Sequence, residues 1–110
     1  MAHLIKSKAS GRQVLEMLEV LKDYIKVAVD IEKSILAGGG AMHADCEEVL
    51  LENGSKQKDV WGADWFPKEK RVAFKSLINI RPRQNNRSME IQDPELRDQV
   101  ERVIRGIFEP

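Results

Sequence analysis

The chain has one cysteine, Cys46, so no internal disulfide can form. That favours a reducing, cytosolic setting. No apolar run approaches the roughly 20 residues that a membrane span needs. Met1 to Ser10 carries basic residues but lacks the apolar stretch of a signal peptide. There is no basic excess either: 18 Lys and Arg balance 18 Asp and Glu. Wholesale nucleic-acid binding usually leaves such an excess, so only a local basic patch remains open. The C-x-x-C and H-x-x-E-H metal spacings, the lysine and Ser/Thr of a P-loop, internal repeats and low-complexity linkers are all missing.

What is present suits one ordered domain. The 110 residues are 42% hydrophobic and 33% charged, enough apolar surface for one modest core and too much for disorder. The expected unit is residues 1–110, with 1–9 a flexible terminus.

Ser10-Gly11-Arg12-Gln13 reads as a capping box. Val14, Leu15, Leu18 and Leu21 follow at helical spacing, predicting a helix over Ser10–Lys22. From Tyr24 to Lys33 the period changes to two: Ile25, Val27, Val29 and Ile31 alternate with polar residues, which is the signature of a strand. Ile35-Leu36-Ala37 extends it and Gly38-Gly39-Gly40 breaks it. Met42–Glu52 fits helix or strand. The Asn53-Gly54 pair that follows favours a two-residue hairpin, which decides for strand. Extending that register brings Glu47 opposite Val60 and His43 near Asp64. Arg71–Ile80 reads as a further strand with a bulge near Ser76, and Ser88–Ile91 as at most a short edge strand. Asp93-Pro94 then opens a last helix as N-cap and N1, with Leu96, Val100, Val103, Ile104 and Ile107 as its apolar stripe. The order predicts an α+β fold: an antiparallel sheet of four or five strands with the N-terminal and C-terminal helices on one face, a two-layer sandwich. The other sheet face is then left for solvent, a ligand or a second copy of the chain.

Two residue groups carry candidate chemistry. The run Arg81, Arg83, Asn85, Asn86 and Arg87 offers guanidinium forks for phosphate or carboxylate, and asparagines that tolerate the left-handed conformation of cradling loops. The competing reading is a solvated turn with its arginines paired to the protein's own acids. On a strand, His43, Asp45 and Glu47 share a face, where imidazole and carboxylates can ligate zinc, manganese or iron(II). The competing reading there is a charged solvent face paired to lysines. A Cys46–His43 catalytic pair is the weakest of these ideas, because a buried cysteine usually acts as a small hydrophobe. Trp61 and Trp65 read as core or interface anchors rather than base-stacking platforms. The glycine triplet reads as an inter-strand turn. No cofactor is indicated.

The phrases Ile35-Leu36-Ala37-Gly38-Gly39-Gly40, His43-Ala44-Asp45-Cys46-Glu47, Trp61-Gly62-Ala63-Asp64-Trp65 and Ser76-Leu77-Ile78-Asn79-Ile80-Arg81-Pro82 together resemble a family of short uncharacterised bacterial proteins, often cyanobacterial, classed as a domain of unknown function. The resemblance implies a bacterial, cytosolic origin and no activity, cofactor or catalytic residue. The sequence therefore predicts a small non-catalytic binding or interaction module, with a homodimer through the open sheet face as one partner arrangement. Anion or nucleic-acid binding through the arginine run and a metal-dependent enzyme built on His43, Asp45 and Glu47 are the alternatives.

Overall fold

The computed structural model describes residues 2–110. Five strands, β1 (His3–Ile5), β2 (Ile25–Asp30), β3 (Ile35–Gly38), β4 (Val60–Phe66) and β5 (Arg71–Ala73), form one sheet. Their spatial order is β1-β3-β2-β4-β5, with every neighbouring pair antiparallel. Helices α1 (Gly11–Met17) and α3 (Pro94–Phe108) pack on one face, as the sequence predicts. The alternation of β2 explains this: Ile25, Val27 and Val29 join Met17, Val100, Ile104 and Ile107 in the larger core.

Local chemistry fixes the helix starts. Ser10 Oγ accepts from Gln13 N at 3.1 Å while Gln13 Oε1 accepts from Ser10 N at 2.9 Å, the reciprocal bonds of a capping box. Asp93 Oδ1 caps α3 through Glu95 N, and Glu101 and Arg105 form an i, i+4 pair at 2.7 Å. Helix α1 is shorter than its apolar period suggests. It stops at Met17, and the chain turns through Lys22 at φ 70° to begin β2.

Several expectations are corrected. Met42–Glu52 is not a strand: His43–Glu52 is a helix, α2. Asn53 is its C-cap, and Gly54, at φ +96°, takes the left-handed position beyond it. Ser55 N reaches Leu50 O at 3.0 Å and Gly54 N reaches Leu51 O at 3.2 Å, the paired bonds of a Schellman stop. Asn-Gly serves a hairpin and a helix stop equally well, because both need positive φ. The helical period of His43, Cys46 and Leu50, all buried, is what distinguishes them.

The second correction follows from the first. The sheet face expected to be open is covered by α2, whose Cys46 and Leu50 pack with Ala28, Ala37 and Val60 in a second, smaller core. Helices thus lie on both sides of the sheet. Third, Ile35–Gly38 does not extend β2 but returns beside it as a hairpin, Val29 opposite Leu36. The turn contains no glycine. Asp30 Oδ1 accepts from Glu32 N at 2.9 Å and Lys33 N at 3.0 Å, Asp30 Oδ2 accepts from Ser55 Oγ at 2.6 Å, and Ser34 takes φ 56°. The opening residues, expected to be loose, include β1, whose Leu4 pairs with Ala37.

Candidate functional site

Strand β5 pairs with β4 only at Asp64–Phe66, which leaves the rest of that edge without a strand partner. The chain from Phe74 to Gln92 fills the gap with two single 3₁₀ turns, Leu77–Asn79 and Pro82–Gln84. Asn79 is fully buried there. Its Oδ1 accepts from Gly62 N at 2.8 Å, and its Nδ2 donates to Gly62 O at 3.0 Å, Met89 O at 3.1 Å and Phe74 O at 3.3 Å. The carboxamide thus does for Gly62 what a neighbouring strand would do. Asn86, also buried, repeats the device: Nδ2 donates to Asn79 O, Ser88 O and Glu90 O, and Oδ1 accepts from Gln92 N. Backbone bonds in both directions between Arg81 and Asn86 close the loop, and Asn85 supplies its left-handed residue at φ 62°. This is the role its amide chemistry suits.

Arg81 points inward. Nε donates to Ile78 O at 2.9 Å, Nη1 to Gln57 O at 2.6 Å and Gln84 Oε1 at 3.2 Å, and Nη2 to Val60 O and to Glu47 Oε2 at 3.4 Å. Its guanidinium also lies 4.5 Å from the Trp61 ring centroid. Burial lowers its pKa from the ordinary arginine value, and Glu47 opposes that shift. Arg83 and Arg87 are exposed, and neither forms an ion pair among the described residues. The three arginines therefore do not converge on one spot.

The framed loop borders a groove of about 540 Å³, whose walls include Leu77, Ile78, Ile80, Pro82 and Arg83. Leu77 is 69% exposed and Ile80 45% exposed, although Asn79 between them is sealed.

His43, Asp45 and Glu47 are also separated. On a helix, Asp45 lies away from the other two. It is exposed, and its Oδ2 accepts from Met42 N at 3.1 Å as part of the N-terminal cap. Glu47 faces Arg81. His43 is buried beneath the N-terminus of α2, with Nε2 at 2.8 Å from Asp64 Oδ1 and 3.0 Å from Ala63 O. The expected proximity of His43 to Asp64 exists, but through helix-on-sheet packing rather than strand pairing. Among the described residues, no group of three His, Cys, Asp or Glu side chains is placed to hold a metal.

Cys46 donates to Lys26 O at 3.4 Å, and burial, partly offset by a hydrogen bond from the Gly40 backbone, pushes its thiol up to about 11. A thiol held neutral in this way is no nucleophile at neutral pH. Trp61 and Trp65 both lie in the larger core, Trp65 stacked on Phe108 at 5.7 Å. The glycine triplet is buried and serves close packing: a Cβ on Gly39, at φ +93°, would fall 2.9 Å from Met17 Cα.

Reasoning from sequence missed the role of Asn79. An asparagine inside Leu77-Ile78-Asn79-Ile80 was the available signal, since an amide in an apolar run needs buried partners. Among the described residues, no helix is long and apolar enough to cross a membrane. No curated protein and no solved structure matches the chain. Residues 3–107 match the family described as "Protein of unknown function (DUF5674)", and the chain belongs to that family.

Proposed function

We propose that this protein is a small cytosolic binding module whose recognition surface is the groove beside α2, taking an apolar ligand or segment that carries an anionic group for Arg83. One observation supports this most. Two large aliphatic side chains, Leu77 and Ile80, stand in solvent on a turn whose interior asparagine is fully sealed and hydrogen-bonded. The Asn79 bonds stabilise the turn's backbone, but leaving Leu77 and Ile80 in solvent adds nothing to the free chain's stability. It does preorganise a surface, which lowers the entropic cost of binding. Arg83 at the rim supplies a free guanidinium fork for carboxylate or phosphate. Of the arginine run, Arg81 is consumed in holding the frame.

The test uses 4-phenylbutyrate, an apolar body with one carboxylate, titrated into ¹⁵N-labelled full chain. The expected result is saturable shifts of the Leu77, Ile80 and Arg83 amides. Leu77→Ser and Arg83→Ala should each weaken binding about tenfold, the loss of one apolar contact or one charge-assisted bond. Shifts confined to other surfaces, or affinities unchanged in both variants, would overturn the reading.

A further inference from the structure

A second recess, about 260 Å³, lies on the α2 side of the sheet, between the start of α2, Lys26 of β2 and the turn at Lys75–Ile78. His43 lines it, and the tautomer of its neutral ring follows from hydrogen-bond logic. Nε2 faces two groups that only accept, the Ala63 carbonyl and the Asp64 carboxylate. Nε2 must therefore carry the hydrogen, and in the neutral ring Nδ1 is left with its lone pair. Nδ1 makes no hydrogen bond among the described residues. Nor is it sealed, because the one sealed, unpartnered side-chain polar atom among those residues is Trp61 Nε1. A residue only 9% exposed thus keeps an unused acceptor that is not fully sealed.

The rest of the recess supplies complementary chemistry. Lys26 sits opposite Asp64 in the β2–β4 register, and Lys75 lies across the recess wall. Neither ammonium forms an ion pair among the described residues. Met42, Leu77, Ile78 and Met89 make the walls apolar. Two free cations, an apolar lining and a lining histidine with one unused acceptor suit a small anion with an apolar body and a hydroxyl.

We propose that this recess binds a small hydroxylated organic acid, with its anionic head on Lys26 and Lys75, its apolar body against Met42 and Met89, and its hydroxyl donating to His43 Nδ1. Asp64 acts as a positioning residue, fixing the tautomer that leaves Nδ1 free to accept.

The probes are 4-hydroxybenzoate and, lacking the hydroxyl, benzoate, each titrated into ¹⁵N-labelled full chain. The hydroxylated acid should shift the Ala44 and Ser76 amides and bind about fivefold tighter than benzoate, the worth of one neutral hydrogen bond. The double variant K26A/K75A should weaken both acids about tenfold or more. Arg83→Ala should leave them unchanged, which separates this recess from the neighbouring groove. Substituting His43 can unfold the chain, so its tautomer is read directly in the wild type by long-range ¹H–¹⁵N correlation of the ring. The Nε2–H form is expected. An Nδ1–H form, equal affinity for the two acids, or no saturable shift up to about 10 mM would each overturn the proposal.

Discussion

Replacing Asn79 by alanine removes a carboxamide that stands in for a missing strand, and the cost can be worked from its four partners. The Gly62 amide loses the acceptor at 2.8 Å, and because the site is fully sealed no water replaces it. An orphaned buried donor costs about 1–3 kcal/mol. Two amide hydrogens are lost as well, shared among the carbonyls of Gly62, Phe74 and Met89. Two net bonds add about 1–3 kcal/mol, for a total near 4 kcal/mol. Urea unfolding followed by tryptophan fluorescence suits the assay, since Trp61 and Trp65 are both buried. With a slope of about 1.5 kcal/mol/M the midpoint should fall by roughly 2.5 M. Asn79→Asp sharpens the test. It keeps an acceptor for Gly62 but sets a carboxylate oxygen against three carbonyl oxygens, so the folded state holds the proton more tightly than the unfolded one. Its stability should therefore fall as pH rises above about 4, the ordinary aspartate range, while Asn79→Ala shows no such slope relative to wild type. Leu77→Ala, two residues away but exposed, should change stability by less than about 0.5 kcal/mol. A loss below about 1 kcal/mol for Asn79→Ala would refute the account, because water or a shifted loop would then be satisfying Gly62.

Two further predictions concern the packing around this frame. Burial raises the Cys46 thiol from 9.0 to about 11, so the folded chain binds a proton that the unfolded chain releases first. Wild-type stability should drop by about 2–3 kcal/mol relative to Cys46→Ala as pH climbs through that interval, and be parallel to it below; parallel curves throughout would place the thiol in contact with solvent. Two glycine-to-alanine changes should have opposite signs. A Cβ on Gly62 would meet Ser76 Cβ at 2.6 Å, whereas one on Gly106, on the exposed side of α3, meets nothing within 4 Å. Thermal melts should show Gly62→Ala destabilised by about 1–3 kcal/mol and Gly106→Ala, at an exposed position of the core-packed helix α3, stabilised by about 0.5–1 kcal/mol.

Those elements whose signal is local were legible in the sequence. The capping box before α1, the Asp93-Pro94 start of α3, and the alternation in β2 each reflect a contest settled within a few residues, and the structure agrees. Helix α2 was misread because Asn53-Gly54 answers to two structures that share a need for positive φ, and the weaker periodic signal in His43, Cys46 and Leu50 was overruled. The β2–β3 hairpin was unreadable for a different reason. Its turn is made by the Asp30 carboxylate, which Ser55 also engages from 25 positions away. The division of the arginine run into inward and outward members was not readable. Burial of Arg81 depends on carbonyls at Gln57 and Val60, just before and at the start of β4.

That division decides what the loop can do. A guanidinium has five N–H donors, and Arg81 has five acceptors: the carbonyls of Ile78, Gln57 and Val60, and the side chains of Gln84 and Glu47. It has no donor left for a ligand. Of the other cations, Arg83 borders only the larger groove, and the Lys26 and Lys75 ammoniums border only the smaller recess. Leu77 and Ile78 form a wall common to both, and that wall stands where it does because Asn79 and Arg81 tie its backbone to β4. Substituting either tie should therefore weaken 4-phenylbutyrate and 4-hydroxybenzoate together, whereas Arg83→Ala and K26A/K75A should each weaken only one. A tie variant that stayed folded and lost one ligand alone would show that the two surfaces do not share a frame.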